Sequence, residues 1–142
     1  NGYWLTGDVA RRDAEGRFYH LDRTVDVIDT AAGPVYSLPL EEVLIADCAD
    51  LVADCSVVGV PAATGAGQAP VAVVRLQDDA AGTTGEVLAE RANKALADAG
   101  LAALAAVRIA TAPGDFPLGP TGKVLKRELR TRLAGILESR AR

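Results

Sequence analysis

Pro70-Val71-Ala72-Val73-Val74-Arg75-Leu76 is the stretch on which the fold turns, because it is apolar at consecutive positions instead of alternate ones. Successive side chains of a strand point to opposite faces, so this run predicts a central strand covered on both sides. Ser56 to Val60 is a second Val-rich run, separated from the first by a loop over Ala62 to Ala69, and Ala106 to Ala110 reads as a third strand. Between the second and third runs, Thr83 with Glu86 has the form of a capping box, and Leu88, Ala92, Ala95 and Ala99 trace a helical stripe that stops at Gly100. Ser37 is placed to cap an earlier helix with Pro39 in its first turn, Leu40, Val43 and Leu44 on one face and an end near Asp47. Leu125, Leu129, Leu133 and Ile136 mark a last helix after a Gly- and Pro-rich loop from Pro113 to Gly122. Val9 to Arg12 and Arg17 to Leu21 flank the turn formers Asp13-Ala14-Glu15-Gly16 and predict a β-hairpin. The expected fold is α+β, with a β-hairpin and a three-stranded sheet packed by helices.

The chain has 142 residues, 49% hydrophobic and 24% charged, which suits one compact domain that buries its own core. It starts at Asn1 without any terminal character, which reads as a piece of something longer, and the charged junction Asp22 to Asp26 reads as a domain boundary. No apolar run is long enough to span a bilayer and no signal peptide is visible, so the expected compartment is the cytoplasm. A net charge of −4 argues against a nonspecific nucleic-acid binder. Lys123 to Arg142 nevertheless carries seven basic and two acidic side chains. That segment reads equally as a patch for phosphorylated ligands or as a helix with a solvated basic face. Cys48 and Cys55 lack the spacing of a zinc or redox motif and read as ordinary thiols. No metal site is expected. His20, between Tyr19 and Leu21, reads as a satisfied structural histidine.

Phe116-Pro117-Leu118-Gly119-Pro120-Thr121-Gly122-Lys123-Val124-Leu125-Lys126-Arg127 is the segment most informative about function. It presents Lys123 on what reads as a flexible Gly-rich tip before a helix. A phosphate-binding P-loop requires glycine five residues before the Gly-Lys pair and a hydroxyl after the lysine; Pro117 and Val124 occupy those places. On the residues alone, Lys123 reads as a surface lysine.

The segment resembles the last motif of the adenylate-forming superfamily of acyl-coenzyme A ligases, peptide-synthetase adenylation domains and luciferases, Pro-x-Thr-x-x-Gly-Lys followed by a basic residue. Pro117, Gly122 and Lys123 match, and Gly119 stands where threonine is usual. Tyr3-Trp4-Leu5-Thr6-Gly7-Asp8 resembles the family's Tyr-x-Thr-Gly-Asp motif with one extra residue, and Arg23-Thr24-Val25-Asp26-Val27-Ile28 resembles its hinge motif. A gapless register from there leads to Glu41-Glu42-Val43-Leu44, similar to the family's helix start. The resemblance implies that Lys123 is the catalytic lysine of adenylation, that Asp8 and Arg23 contact ATP and that Val25 is the hinge. It also implies that Ala31 and Ala32 line the coenzyme A tunnel by their backbone. Residues 1–22 would then be the tail of a large N-terminal domain and residues 23–142 a mobile C-terminal domain.

The resemblance implies a two-step reaction. A carboxylic acid is activated by ATP to an acyl-adenylate and then transferred to coenzyme A, with ATP, Mg2+ and coenzyme A bound mainly by the large domain. The implied partners are that domain and the carboxylic acid, and this portion alone is expected to be inactive. Two alternatives stand beside the acyl-coenzyme A ligase. One is a peptide-synthetase adenylation domain, which delivers to a carrier protein; the other is a noncatalytic binding module. Val25 where Asp or Lys is common, Pro34 where a basic residue is common, and Gly119 where threonine is usual are the departures that bear on the noncatalytic reading.

Overall fold

The computed structural model describes residues 5–138. Tyr3 and Trp4 of the first motif lie outside the described residues. Strands β1 (Asp8–Arg12) and β2 (Phe18–Arg23) form an antiparallel hairpin, and β3 (Ile28–Thr30) pairs with β4 (Gly33–Val35) in a second, shorter one. Helix α1 (Ser37–Asp47) follows, then β5 (Val52–Pro61), β6 (Gln68–Leu76), α2 (Gly85–Asp98), β7 (Ala106–Ile109) and α3 (Lys126–Leu133). The main sheet has the order β5-β6-β7, with β5 antiparallel and β7 parallel to the central β6. A parallel pair needs a crossover, and α2 provides it.

The two-faced run at Pro70 to Leu76 has the expected cause. Ala72 and Val74 point into a core built with Leu40, Leu44, Leu88, Ala92 and Leu96 from α1 and α2. Val71 and Val73 point the other way, against Leu129 and Leu133 of α3. The sheet is thus covered by two helices on one face and one on the other, and the α+β architecture is as the sequence predicts.

Four local details differ. Ser37 is not a cap: it is the first residue of α1, fully buried, and the cap residue Tyr36 makes no side-chain bond. The orphan Ser37 amide donates instead to Oδ2 of Asp22 at 2.6 Å, because a helix start leaves N–H groups without intrahelical partners. Thr84, not Thr83, caps α2, its hydroxyl accepting from the Val87 amide. Gly85 opens that helix so close to the Val107 carbonyl that no side chain fits, which sets the start one residue later. The buried stripe of α2 is Leu88, Ala92 and Leu96, since Ala95 is only partly covered and Ala99 is the C-cap. Finally, α3 begins after Leu125, and its buried Leu129 and Leu133 are followed by the buried Leu137 beyond the helix, with Ile136 only partly buried.

Candidate functional site

An open groove of about 700 Å³ runs between the end of β2, the start of α1 and the segment from Lys123 to Arg130. Its walls bring together Arg23, Val25 and Lys123, residues up to a hundred positions apart in sequence. Asp8 sits at its edge, opposite Arg23 in the β1–β2 register. Ala31 and Ala32 are not part of it; they are the exposed tip of the β3–β4 hairpin. Thr30 organises that tip, its hydroxyl donating to the Gly33 carbonyl and accepting from the Ala32 amide. Beneath it, Gly67 bridges Thr30 with a φ of +70°, and a side chain there would collide with the backbone of Asp29, Thr30 and Ala31.

Lys123 sits on a hydrogen-bonded turn. The Gly119 amide donates to the Lys123 carbonyl at 2.8 Å, Gly122 to Gly119 at 2.9 Å and Leu125 to Pro117 at 2.9 Å. Gly122 takes φ +75°, a left-handed conformation that costs other residues about 1–2 kcal/mol. A side chain at Gly119 would press on the flexible end of Leu125, at 3.1 Å, and touch the Lys123 carbonyl at an ordinary 3.5 Å, so the glycine there is not demanded by the turn.

The groove's cations divide into two groups. Lys126 pairs with Glu41 at 2.7 Å and Arg130 with Asp26 at 2.8 Å. Arg132, further along the helix, is taken up by Glu128 and the Gly114 carbonyl. Arg23, Lys123 and Arg127 have no side-chain hydrogen bond or ion pair among the described residues. The basic C-terminal run is therefore neither one continuous phosphate patch nor a wholly solvated face. Part of it points inward to acids, and the remainder leaves cationic side chains beside the groove with no ion-pair partner among the described residues. Such charge suits an anionic, phosphate-bearing ligand, with the guanidinium giving a planar fork and the ammonium a compact point charge.

Asp22 also lines the groove, where its buried carboxylate accepts from the amides of Ser37 and Arg23. His20 is an exposed groove residue, not a core histidine, with Nε2 3.5 Å from Oδ1 of Asp8. Cys55 lines the floor, where burial foremost and the nearby Glu41 charge push its thiol up to about 12. It is a structural thiol at neutral pH, since the thiolate is the nucleophile. Cys48 is likewise free and buried.

Glu41 and Lys126 are the site residues that sequence reading missed. A signal was present: Lys126 precedes Leu129 and Leu133 on the buried line of α3, and Glu41 lies between Leu40 and Leu44 on α1. A long charged residue on a buried line has to find a partner.

No family model matches the chain. It is 44% identical to the 3-aminoavenalumate diazotase of a Streptomyces species, over 94% of this chain and 26% of that protein. It is 35% identical to the 2-succinylbenzoate–CoA ligase of Bacillus cereus, over 92% of this chain and 25% of that protein. Among solved structures, ATP-bound MatB from Rhodopseudomonas palustris is similar with a TM-score of 0.74 and 28% identity, over 94% of this chain and 25% of that one. The chain spans about a quarter of the length of these relatives.

Proposed function

The chain belongs to the adenylate-forming superfamily as a domain of its C-terminal type, and from that premise we propose that it is the mobile portion of an AMP-forming ligase that activates a carboxylic acid. The observation that carries the reading is the meeting in one groove of Arg23 and Lys123, neither with a side-chain partner among the described residues. ATP is the phosphate-bearing ligand that this charge suits, and coenzyme A is the acceptor on the ligase reading. Residues 1–22 belong with a large N-terminal domain, the principal partner, and residues 23–142 form the moving body.

In the first step a carboxylate oxygen attacks the α-phosphorus of ATP; the new P–O bond forms as the bond to the β-phosphate breaks and pyrophosphate leaves. Lys123 acts by position and charge. Its ammonium, on a turn fixed by Gly122, lies between two anions that repel as they approach, and no proton needs to move. Arg23 holds the nucleotide, with Asp8 beside it to accept from ribose hydroxyls. Val25 is the hinge, a 69%-exposed residue in a turn closed by the Arg23 carbonyl and the Asp26 amide. Rotation there withdraws Lys123 and brings the Ala31–Ala32 tip to the acceptor side. The acceptor then attacks the acyl carbon and AMP leaves. Among the described residues no three potential metal ligands converge, and Mg2+ is bound mainly with the large domain. The large domain supplies the acyl pocket, and this portion alone is inactive.

A second reading concerns only the acceptor. The 44% relative is a diazotase named for an amino compound, whereas the coenzyme A ligase matches at 35%. The tip offers two alanines and Pro34, with no side-chain donor for an anionic carrier. An amine acceptor fits those features. The test is to give the full-length protein ATP and a panel of carboxylic acids and follow pyrophosphate exchange, then add coenzyme A or aromatic amines. Acid-dependent exchange supports the adenylation reading, and none across the panel contradicts it. Which acceptor discharges the adenylate decides between thiol and amine.

A further inference from the structure

A chain of hydrogen bonds runs beneath the groove from Arg23 to the base of the Lys123 turn. The Arg23 amide donates to Oδ1 of Asp22 at 2.9 Å, and Oδ2 of the same carboxylate accepts from the Ser37 amide at 2.6 Å. The Ser37 hydroxyl is met by Nζ of Lys126, which also reaches Oε1 of Glu41 at 2.7 Å. That Glu41 oxygen accepts in turn from the Val57 amide at 2.7 Å, on the main sheet. The pair is mostly covered, with 14% of the Lys126 and 18% of the Glu41 side chain exposed.

We propose that Lys126, clamped by Glu41 and Ser37, is a positioning residue that sets the Lys123 turn at its working distance from Arg23. This rests on the adenylation reading above. Lys126 is three residues from Lys123 and is the first residue of α3, immediately after the turn closes at Leu125. The far end of the turn, at Pro117, is joined to the near end through the Leu125 amide, so the whole hairpin moves with the start of α3. Glu41 and Ser37 lie in the first two turns of α1, and Val57 is in β5, so the clamp refers the lysine to two rigid elements. Pairing energy alone does not account for the arrangement, since a mostly covered ion pair is weakly stabilising once desolvation is counted. Its geometric consequence is larger: a misplacement of about 1 Å in a catalytic group can cost on the order of 10²-fold in rate.

The test is a double-mutant cycle in the full-length protein with Lys123→Ala, Lys126→Met and both together. Each variant is assayed for adenylation and for consumption of a preformed acyl-adenylate, with a thermal melt as control. Lys126→Met is expected to slow adenylation about 10-fold to 10²-fold and to leave adenylate consumption near wild type. The double variant is expected to be no slower than Lys123→Ala alone, because Lys126 acts through Lys123. Multiplying losses, or equal loss in both half-reactions, would assign Lys126 a purely structural role and overturn the proposal. Lys123→Ala that left adenylation intact would instead bring down the parent reading, and this proposal with it. Where Lys126→Met gives no cooperative melt, Glu41→Gln replaces it, since the amide oxygen still accepts from Val57; failure of both to fold would also make the pair structural and overturn the proposal.

Discussion

Asp22 and Ser37 stand on opposite sides of Val25 in sequence, and the buried carboxylate of the first accepts a 2.6 Å hydrogen bond from the backbone amide of the second. The bond caps α1 from a distance and ties the end of β2 to the body of the domain. A rotation at the proposed Val25 hinge would act on the segment between the two residues that this bond joins.

Asp22→Ala leaves the buried Ser37 amide without an acceptor. The expected loss is about 1–3 kcal/mol of unfolding free energy, with Asp22→Asn recovering part of it through its amide oxygen. Chemical denaturation of the three proteins measures this. Equal stability of the Ala and wild-type forms would show that water replaces the carboxylate at no cost.

The element pattern was legible in the sequence because its signals are local. Val71, Ala72, Val73 and Val74 announce a strand buried on both faces whatever surrounds them, and Gly100 at φ +70° ends α2 as its position suggested. The cap of α1 was not legible, since its acceptor lies fifteen residues upstream on another element. Ser37 had the right residue type one position too far into the helix, where Lys126 engages its hydroxyl. The Glu41–Lys126 pair spans 85 residues, and no short-range pattern joins them. The groove was legible in part: resemblance singled out Arg23, Val25 and Lys123, whereas only the fold could bring them together and reveal which neighbouring cations are already paired.

Asp115 links stability to pH. Its carboxylate accepts from the amides of Thr111 and Ala112 and from the Thr111 hydroxyl, at 3.0–3.2 Å, and these bonds hold its carboxyl below the ordinary range. A lowered folded value means that the stabilisation is present above the unfolded value of about 3.9 and is lost as pH falls through the folded one. Asp115→Ala is therefore expected to be less stable than wild type at pH 7, with the gap closing below about pH 4. A gap that stayed constant down to pH 2 would contradict the assignment.

Val25→Pro tests the hinge. The Val25 amide donates to nothing among the described residues, so proline removes no bond in use while fixing φ. Its cost falls on Thr24, which is pushed towards extended backbone, and a melt of the variant measures that. In the full-length protein, adenylation is expected to persist while transfer to the acceptor falls. Equal loss of both steps would place the hinge elsewhere.

The most direct test of the central claim is the pair of half-reactions of full-length Lys123→Ala. One assay supplies acid and ATP, and the other supplies the preformed acyl-adenylate with its acceptor. Removing one preorganised charge from the first transition state is expected to slow adenylation by on the order of 10²-fold or more. Consumption of the adenylate is expected to stay near the wild-type rate, because the proposed rotation takes Lys123 out of the site before that step. Wild-type rates in both assays would make Lys123 an ordinary surface lysine and contradict the account.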